Sequence, residues 1–148
     1  MTLIRAVLPT AGKRLVKIQD SAQLVEAARL LSEKEASLVV VCDSQGLMRG
    51  VVTKSDVVKQ ISHCQGCSCT TTVTEVMSKS VIACHPDEDL YDVWLLMKEK
   101  GLKQIPVADE SSRPLGLLYV SAALEVLMKE VEYEDLHLRD YVMGIGYR

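Results

Sequence analysis

The chain has 148 residues, 48% of them hydrophobic, with 17 Lys and Arg against 20 Asp and Glu for a formal net charge of -3. That is enough to bury the core of one compact domain or of two small repeats sharing an interface, and the missing basic excess argues against a nucleic-acid partner. Apolar runs such as residues 38–42 are too short to cross a bilayer, residues 1–8 lack a signal peptide's apolar core, and five cysteines, three of them crowded at Cys64, Cys67 and Cys69, fit a reducing compartment, so a cytoplasmic protein is expected.

Taken in order, residues 14–18 are short and β-branched, which predicts a strand. Residues 20–34 predict a helix with Leu24, Ala27, Ala28, Leu30 and Leu31 on one stripe and Asp20 as its cap. Strands follow at 37–42 and 49–52 around the turn Asp43-Ser44-Gln45-Gly46, then a helix at 54–61. The series then returns. A strand is predicted at 80–84, a helix at 86–100 with Pro86 in its first turn and Gly101 past its end, strands at 103–108 and 115–119, and a helix at 121–131.

A shift of 66 positions lays one half on the other without a gap, placing Leu24 on Leu90, Asp43 on Asp109, Gly50 on Gly116 and Ser55 on Ser121. Upstream the shift is 69, matching Ile4 to Val73, so the first copy carries three extra residues near Pro9 to Gly12, where a loop is expected to absorb them. The order β-α-β-β-α makes the first two strands of each copy parallel through a right-handed crossover and the third antiparallel. The expected fold class is therefore α+β: two repeats, each a small mixed sheet with helices, packed about a pseudo-twofold axis. The expected boundaries are 1–62 and 72–132 for the repeats, 63–71 for a Cys-containing linker and 133–148 for a C-terminal tail.

The stretch Gly50-Val51-Val52-Thr53-Lys54-Ser55-Asp56 runs a short strand straight into a helix start. The outward amides of that first turn suit an anion, and Asp56 suits a pair of ribose hydroxyls. Thr53 followed three residues later by an acid also has the form of a capping box, and both readings stand at this point.

The Val76-Met77 opening, Ser80-Val81-Ile82 leading to Pro86 and Leu90, the strand Gln104-Ile105-Pro106-Val107 with Asp109, and Gly50 to Asp56 together resemble a tandem pair of CBS domains. These adenosyl-nucleotide-binding repeats, also called a Bateman module, would cover essentially the whole chain. The resemblance implies a cleft between the repeats for AMP, ATP or a related adenosyl compound. It implies that Asp56 takes the ribose hydroxyls and that Thr53 and Ser55 help at the phosphate. Ser80, Val81 and Ile82 with Leu102, Ile105 and Pro106 would form the adenine slot, and Lys103 would supply charge toward the phosphate. At the second site Tyr119 stands at the Thr position and Ala122 at the Asp position, Val39-Val40-Val41 lacks the usual proline, and Ser37 replaces a basic residue. One nucleotide per chain is expected.

His63, Cys64, Cys67 and Cys69 have soft-ligand spacing for zinc or iron, set against a solvated linker and a redox sensor. Cys42 and Cys84 read as small buried apolar residues, and His85 and His137 as surface or capping groups. Gly144-Ile145-Gly146 is too short for a dinucleotide fingerprint, residues 130–134 suit a solvated helix end, and Leu138 to Met143 echoes the opening of each copy. No catalytic triad, Walker loop or carboxylate pair is present, so no enzyme is expected and no cofactor beyond the ligand. The leading function is a regulatory ligand-sensing module that signals to a partner protein or sister chain. The alternatives are a structural dimerisation module with a vestigial site and a Cys-based metal or redox switch. A homodimer is expected from the partly covered helix faces at 90–97 and 123–128.

Overall fold

A computed structural model describes the backbone of residues 2–63 and 70–140 and the side chains of residues 2–62 and 70–132. In chain order, a 3-10 turn (Ile4–Val7) and α1 (Leu8–Lys13) open the molecule. The first repeat continues with β1 (Lys17–Gln19), α2 (Leu24–Glu33), β2 (Leu38–Cys42), β3 (Met48–Thr53) and α3 (Lys54–His63). A second opening, α4 (Val73–Val76), leads to α5 (Leu90–Lys100), β4 (Gln104–Ala108), β5 (Pro114–Tyr119) and α6 (Val120–Asp140). β1 runs parallel to β2 and β3 antiparallel to it, while β4 and β5 pair antiparallel. Each hairpin turns on an aspartate whose Oδ1 accepts two backbone amides, those of Gln45 and Leu47 at Asp43 and those of Ser111 and Arg113 at Asp109. The Leu47 bond above all holds the Asp43 carboxyl below its ordinary range.

The expected strand at 80–84 is not a strand; only a single parallel bridge, Cys84 to Val107, remains of it. The equivalent bridge in the first repeat, Ile18 to Val41, is flanked by bonds from the Val40 amide to the Val16 carbonyl (2.9 Å) and from the Asp20 amide to the Cys42 carbonyl (2.8 Å). The second repeat has Pro106 at Val40's place and Pro86 at Asp20's, and proline has no N–H to donate. Both flanking bonds are lost, and the ladder shrinks to its centre.

The long helices also begin later than the pattern predicts, at Leu24 and Leu90. Asp20 does not cap α2, because its amide extends the sheet, and the Leu24 amide donates instead to Thr71 (2.7 Å). Pro86 lies ahead of α5, whose start is set by the Leu90 amide donating to Thr2 (2.8 Å) and by Asp89 accepting from the Tyr91 amide (3.1 Å). Gly101 ends α5 in the left-handed conformation, φ 68°, as expected. The extra residues near Pro9 form α1 rather than a loop: proline suits a first helical turn, and α1 lies on β5 at Gly116. α6 continues through residues 130–134 to Asp140.

These bonds show that the opening segments are exchanged. Ile4 and Val7 are buried in the core of the second repeat with Leu90, Val93, Met97 and Leu118, whereas Val73 is buried in the first with Leu24, Ala27, Leu31 and Val52. The strands alternate accordingly. Val39 and Val41 face the first repeat's helices, and Leu38, Val40 and Cys42 face the other repeat through a third cluster with Val51 and Leu117. Each third strand needs a glycine where the other copy's opening crosses it: a Cβ on Gly116 would stand 2.8 Å from the Ala11 carbonyl carbon. Among the described residues no helix is long and apolar enough to cross a membrane.

Burial pushes the Cys84 thiol up to about 12 and raises that of Cys42. Brief alkylation near neutral pH is therefore expected to leave both unlabelled in the native protein and to label both in denaturant, as read by peptide mass spectrometry. Rapid native labelling of Cys84 would show that its core opens readily.

Candidate functional site

Between the repeats lies a cleft of about 530 Å³, within the range usual for small-molecule sites. One wall is the β3–α3 junction with Thr53, Ser55 and Asp56. Facing it are Ser80, Val81 and Ile82 from the bridge segment and Leu102, Lys103, Ile105 and Pro106 from the entry to β4. All ten residues expected from the sequence line this one cavity. Gly101 lines it too, with nothing within 4 Å of where a Cβ would be, so the slot is open at that point.

At the junction the chain passes from β3 into α3 without a loop, which fixes the first helical turn against the sheet. Thr53 and Asp56 form a reciprocal cap: the Asp56 amide donates to Thr53 Oγ1 (3.2 Å), and the Thr53 amide donates to Asp56 Oδ2 (2.9 Å). The Lys54 amide is taken by the Ser37 carbonyl (3.2 Å). Asp56 is half-buried, and its Oδ1 accepts no bond among the described residues, so that oxygen is available to the cleft. Lys54 and Lys103, both exposed and in no ion pair among the described residues, are the cations of the cavity. The arrangement offers one carboxylate oxygen, the hydroxyls of Thr53 and Ser55, a helix start and two lysines on the polar side against Val81, Ile82, Ile105 and Pro106 on the apolar side. A flat heterocycle carrying a hydroxylated, anionic arm matches that division.

Sequence reasoning missed Lys54, Ser78 and Gln104, which also line the cleft. Lys54 sits inside the stretch already singled out, and only its exposed side chain's direction was hidden. Ser78 enters through its bridge to Val51, a pairing without local signal.

A second cavity of about 520 Å³ occupies the pseudo-symmetric position. Tyr119 stands there where Thr53 stands in the first, Arg14 where Ser80 stands, and Ser37 where Lys103 stands. The Arg14 guanidinium lies 4.1 Å over the centre of the Tyr119 ring. Ala122 does not reach this cavity and lines a smaller one beside it. Glu35, with φ 51°, holds the left-handed turn that Gly101 makes in the other copy.

His85 is a turn acceptor, taking the Asp87 amide on Nδ1 (3.1 Å). The metal candidates Cys64, Cys67 and Cys69 and the side chain of His63 lie outside the described residues, as do His137's side chain, the glycines at 144 and 146, and residues 141–143 of the C-terminal segment.

A β-α-β-β-α unit and a second copy whose first strand is reduced to the Cys84–Val107 bridge, facing each other across a pseudo-symmetric pair of clefts, define a tandem-repeat module with interfacial pockets. The CBS-domain family model matches residues 7–63 and again 73–129, and the chain belongs to that family. A curated relative, the L-aspartate semialdehyde sulfurtransferase of Methanocaldococcus jannaschii, is 25% identical over 118 residues, 80% of this chain but 22% of that enzyme. The chain thus spans about a fifth of that relative's length. Among solved structures, the CBS domain pair of protein MJ0100 in complex with 5-methylthioadenosine and S-adenosyl-L-methionine is 22% identical with a TM-score of 0.72, covering 88% of this chain and 98% of that one. CBSX2 in complex with AMP is also 22% identical, with a TM-score of 0.73 and coverage of 87% and 98%. These likenesses establish the fold.

Proposed function

We propose that this chain is a regulatory module in which one adenosyl nucleotide, AMP, ATP or a relative, occupies the cleft at Asp56 and signals its presence to a partner or sister chain. The observation that carries the reading is the convergence of all ten sequence-derived residues on one cavity of suitable size and polarity. The adenosyl ligands of MJ0100 and CBSX2 support it by likeness. In the proposed pose Asp56 Oδ1 accepts from the ribose, Thr53, Ser55, Lys54 and Lys103 surround the phosphate, and adenine lies among Val81, Ile82, Leu102, Ile105 and Pro106. Ser80 borders the slot. Because the walls come from both repeats, a ligand that contacts both favours one packing of the two, and this is how occupancy would be transmitted. The role is sensing rather than catalysis, in the cytoplasm.

The Thr53–Asp56 cap favours a second reading, a dimerisation module with a vestigial site, since the carboxylate has a structural task without any ligand. A calorimetric panel of AMP, ADP, ATP, NADH and S-adenosylmethionine tests the first reading. One saturable site per chain for at least one compound is expected; binding by none, or at two sites, would contradict it.

The sister chain is part of the proposal. Tyr91, Leu95, Leu124, Met128 and Val131 are exposed on α5 and α6, and Val25, Val58 and Ile61 on α2 and α3. A second module covering these faces would bury them. Light scattering is expected to give a dimer at micromolar concentration, and a monomer there would remove the claim.

A further inference from the structure

The second cavity carries a charge pattern that a nucleoside does not require. Lys13, Arg14, Lys17 and Lys34 line it with one acid, Glu35, whereas the Asp56 cavity has two lysines and one acid. The four cations come from separate places: Lys13 in the last turn of α1, Arg14 just after it, Lys17 in β1 and Lys34 at the end of α2. None is in an ion pair among the described residues, so their mutual repulsion inside one concavity is offset by no carboxylate bonded to them. α6, which begins beside Tyr119, has no acidic residue in its first turn, so nothing there cancels the positive end of its dipole. The means of holding a sugar are missing as well. Tyr119 fills the place of the small hydroxyl, Arg14 covers its ring, and no carboxylate stands at Asp56's register.

We propose that this cavity binds a compact polyphosphate anion through Lys13, Arg14, Lys17 and Lys34, independently of the Asp56 cleft. The anion is either free inorganic polyphosphate or the phosphate tail of a larger molecule that carries no adenosyl group and whose remainder stays outside. Arg14 supplies a planar donor fork suited to phosphate oxygens, held in place by its stack on Tyr119, and the lysines supply point charges around it.

The test titrates sodium tripolyphosphate calorimetrically into the unmodified chain, into Arg14→Ala/Lys34→Ala, and into Lys54→Ala/Lys103→Ala. One saturable site is expected, weakened at least about tenfold by the first pair and changed less than about twofold by the second. All four substituted residues are exposed, so matching thermal melts are expected and exclude unfolding as the cause. An absent saturable site, an equal loss in both double variants, or a loss confined to Lys54→Ala/Lys103→Ala would overturn the proposal. Methyl triphosphate, which carries no adenosyl group, titrated into the unmodified chain names the source: binding as tight as tripolyphosphate supports the tail of a larger molecule, and much weaker binding supports the free anion.

Discussion

Replacing Asp56 with alanine is expected to weaken adenosyl-nucleotide binding at least about tenfold and to lower stability by about 1 kcal/mol, two losses with separate origins. The affinity belongs to Oδ1, which has no protein partner among the described residues and would accept from ribose hydroxyls in charge-assisted bonds worth roughly 1.5 to 3 kcal/mol each. The stability belongs to Oδ2, which accepts the Thr53 amide at 2.9 Å and closes the cap of α3. Asparagine separates them. Asp56→Asn keeps an acceptor for the Thr53 amide and should melt close to the unmodified chain, yet it lacks the charge and should still bind poorly. Calorimetry and thermal melts on the same two variants decide the matter. A stability loss with unchanged affinity would leave Asp56 a capping residue only and favour the vestigial reading.

Gly50→Val should have the larger structural effect, a loss of more than about 3 kcal/mol together with the nucleotide site. A Cβ at Gly50 would stand 2.6 Å from the Ser78 carbonyl oxygen and 2.9 Å from Met77 Sδ. Met77 can turn away, but Ser78 cannot, because its carbonyl accepts from the Val51 amide (3.1 Å) and its amide donates to the Val51 carbonyl (2.9 Å). The intrusion must lift this bridge from β3, and the lifted segment leads directly into Ser80, Val81 and Ile82. Gly101→Ala is the control. Its φ of 68° makes alanine strained by about 1 kcal/mol, but nothing lies within 4 Å of the new carbon, so the cleft should keep its ligand. Urea midpoints with binding isotherms measure both, and a Gly50→Val protein of native stability and affinity would show that the segment yields where the bonding says it should not.

The two-repeat register and the composition of the Asp56 cleft were legible because both are carried by local patterns recurring at one offset. Ile18 pairs with Val41 and Cys84 with Val107, so the offset survives into the hydrogen bonding. What was not legible depends on contacts between distant segments. The helix starts at Leu24 and Leu90 are set by carbonyls of Thr71 and Thr2, and the exchange of Ile4 and Val73 between cores leaves no trace in either segment's own periodicity. The strand expected at 80–84 failed for a reason that was written in the sequence, since Pro86 and Pro106 lack the amides its ladder needs, but the loss shows only once the partners of Val40 and Asp20 are known. Lys13, Arg14, Lys17 and Lys34 escaped notice as a group because α1 and the end of α2 must fold before they share a cavity.

The central claim is that the Asp56 cleft, and no other cavity, takes the adenosyl ligand. Amide chemical shifts of isotope-labelled protein, followed through a titration with the tightest-binding compound of the panel, address it directly. The account predicts that the largest shifts cluster at Thr53 to Asp56, Ser80 to Ile82 and Leu102 to Ile105, saturating at one ligand per chain. Shifts centred instead on Arg14 to Lys17 and Tyr119, or on the Tyr91 and Trp94 face of α5, would contradict it.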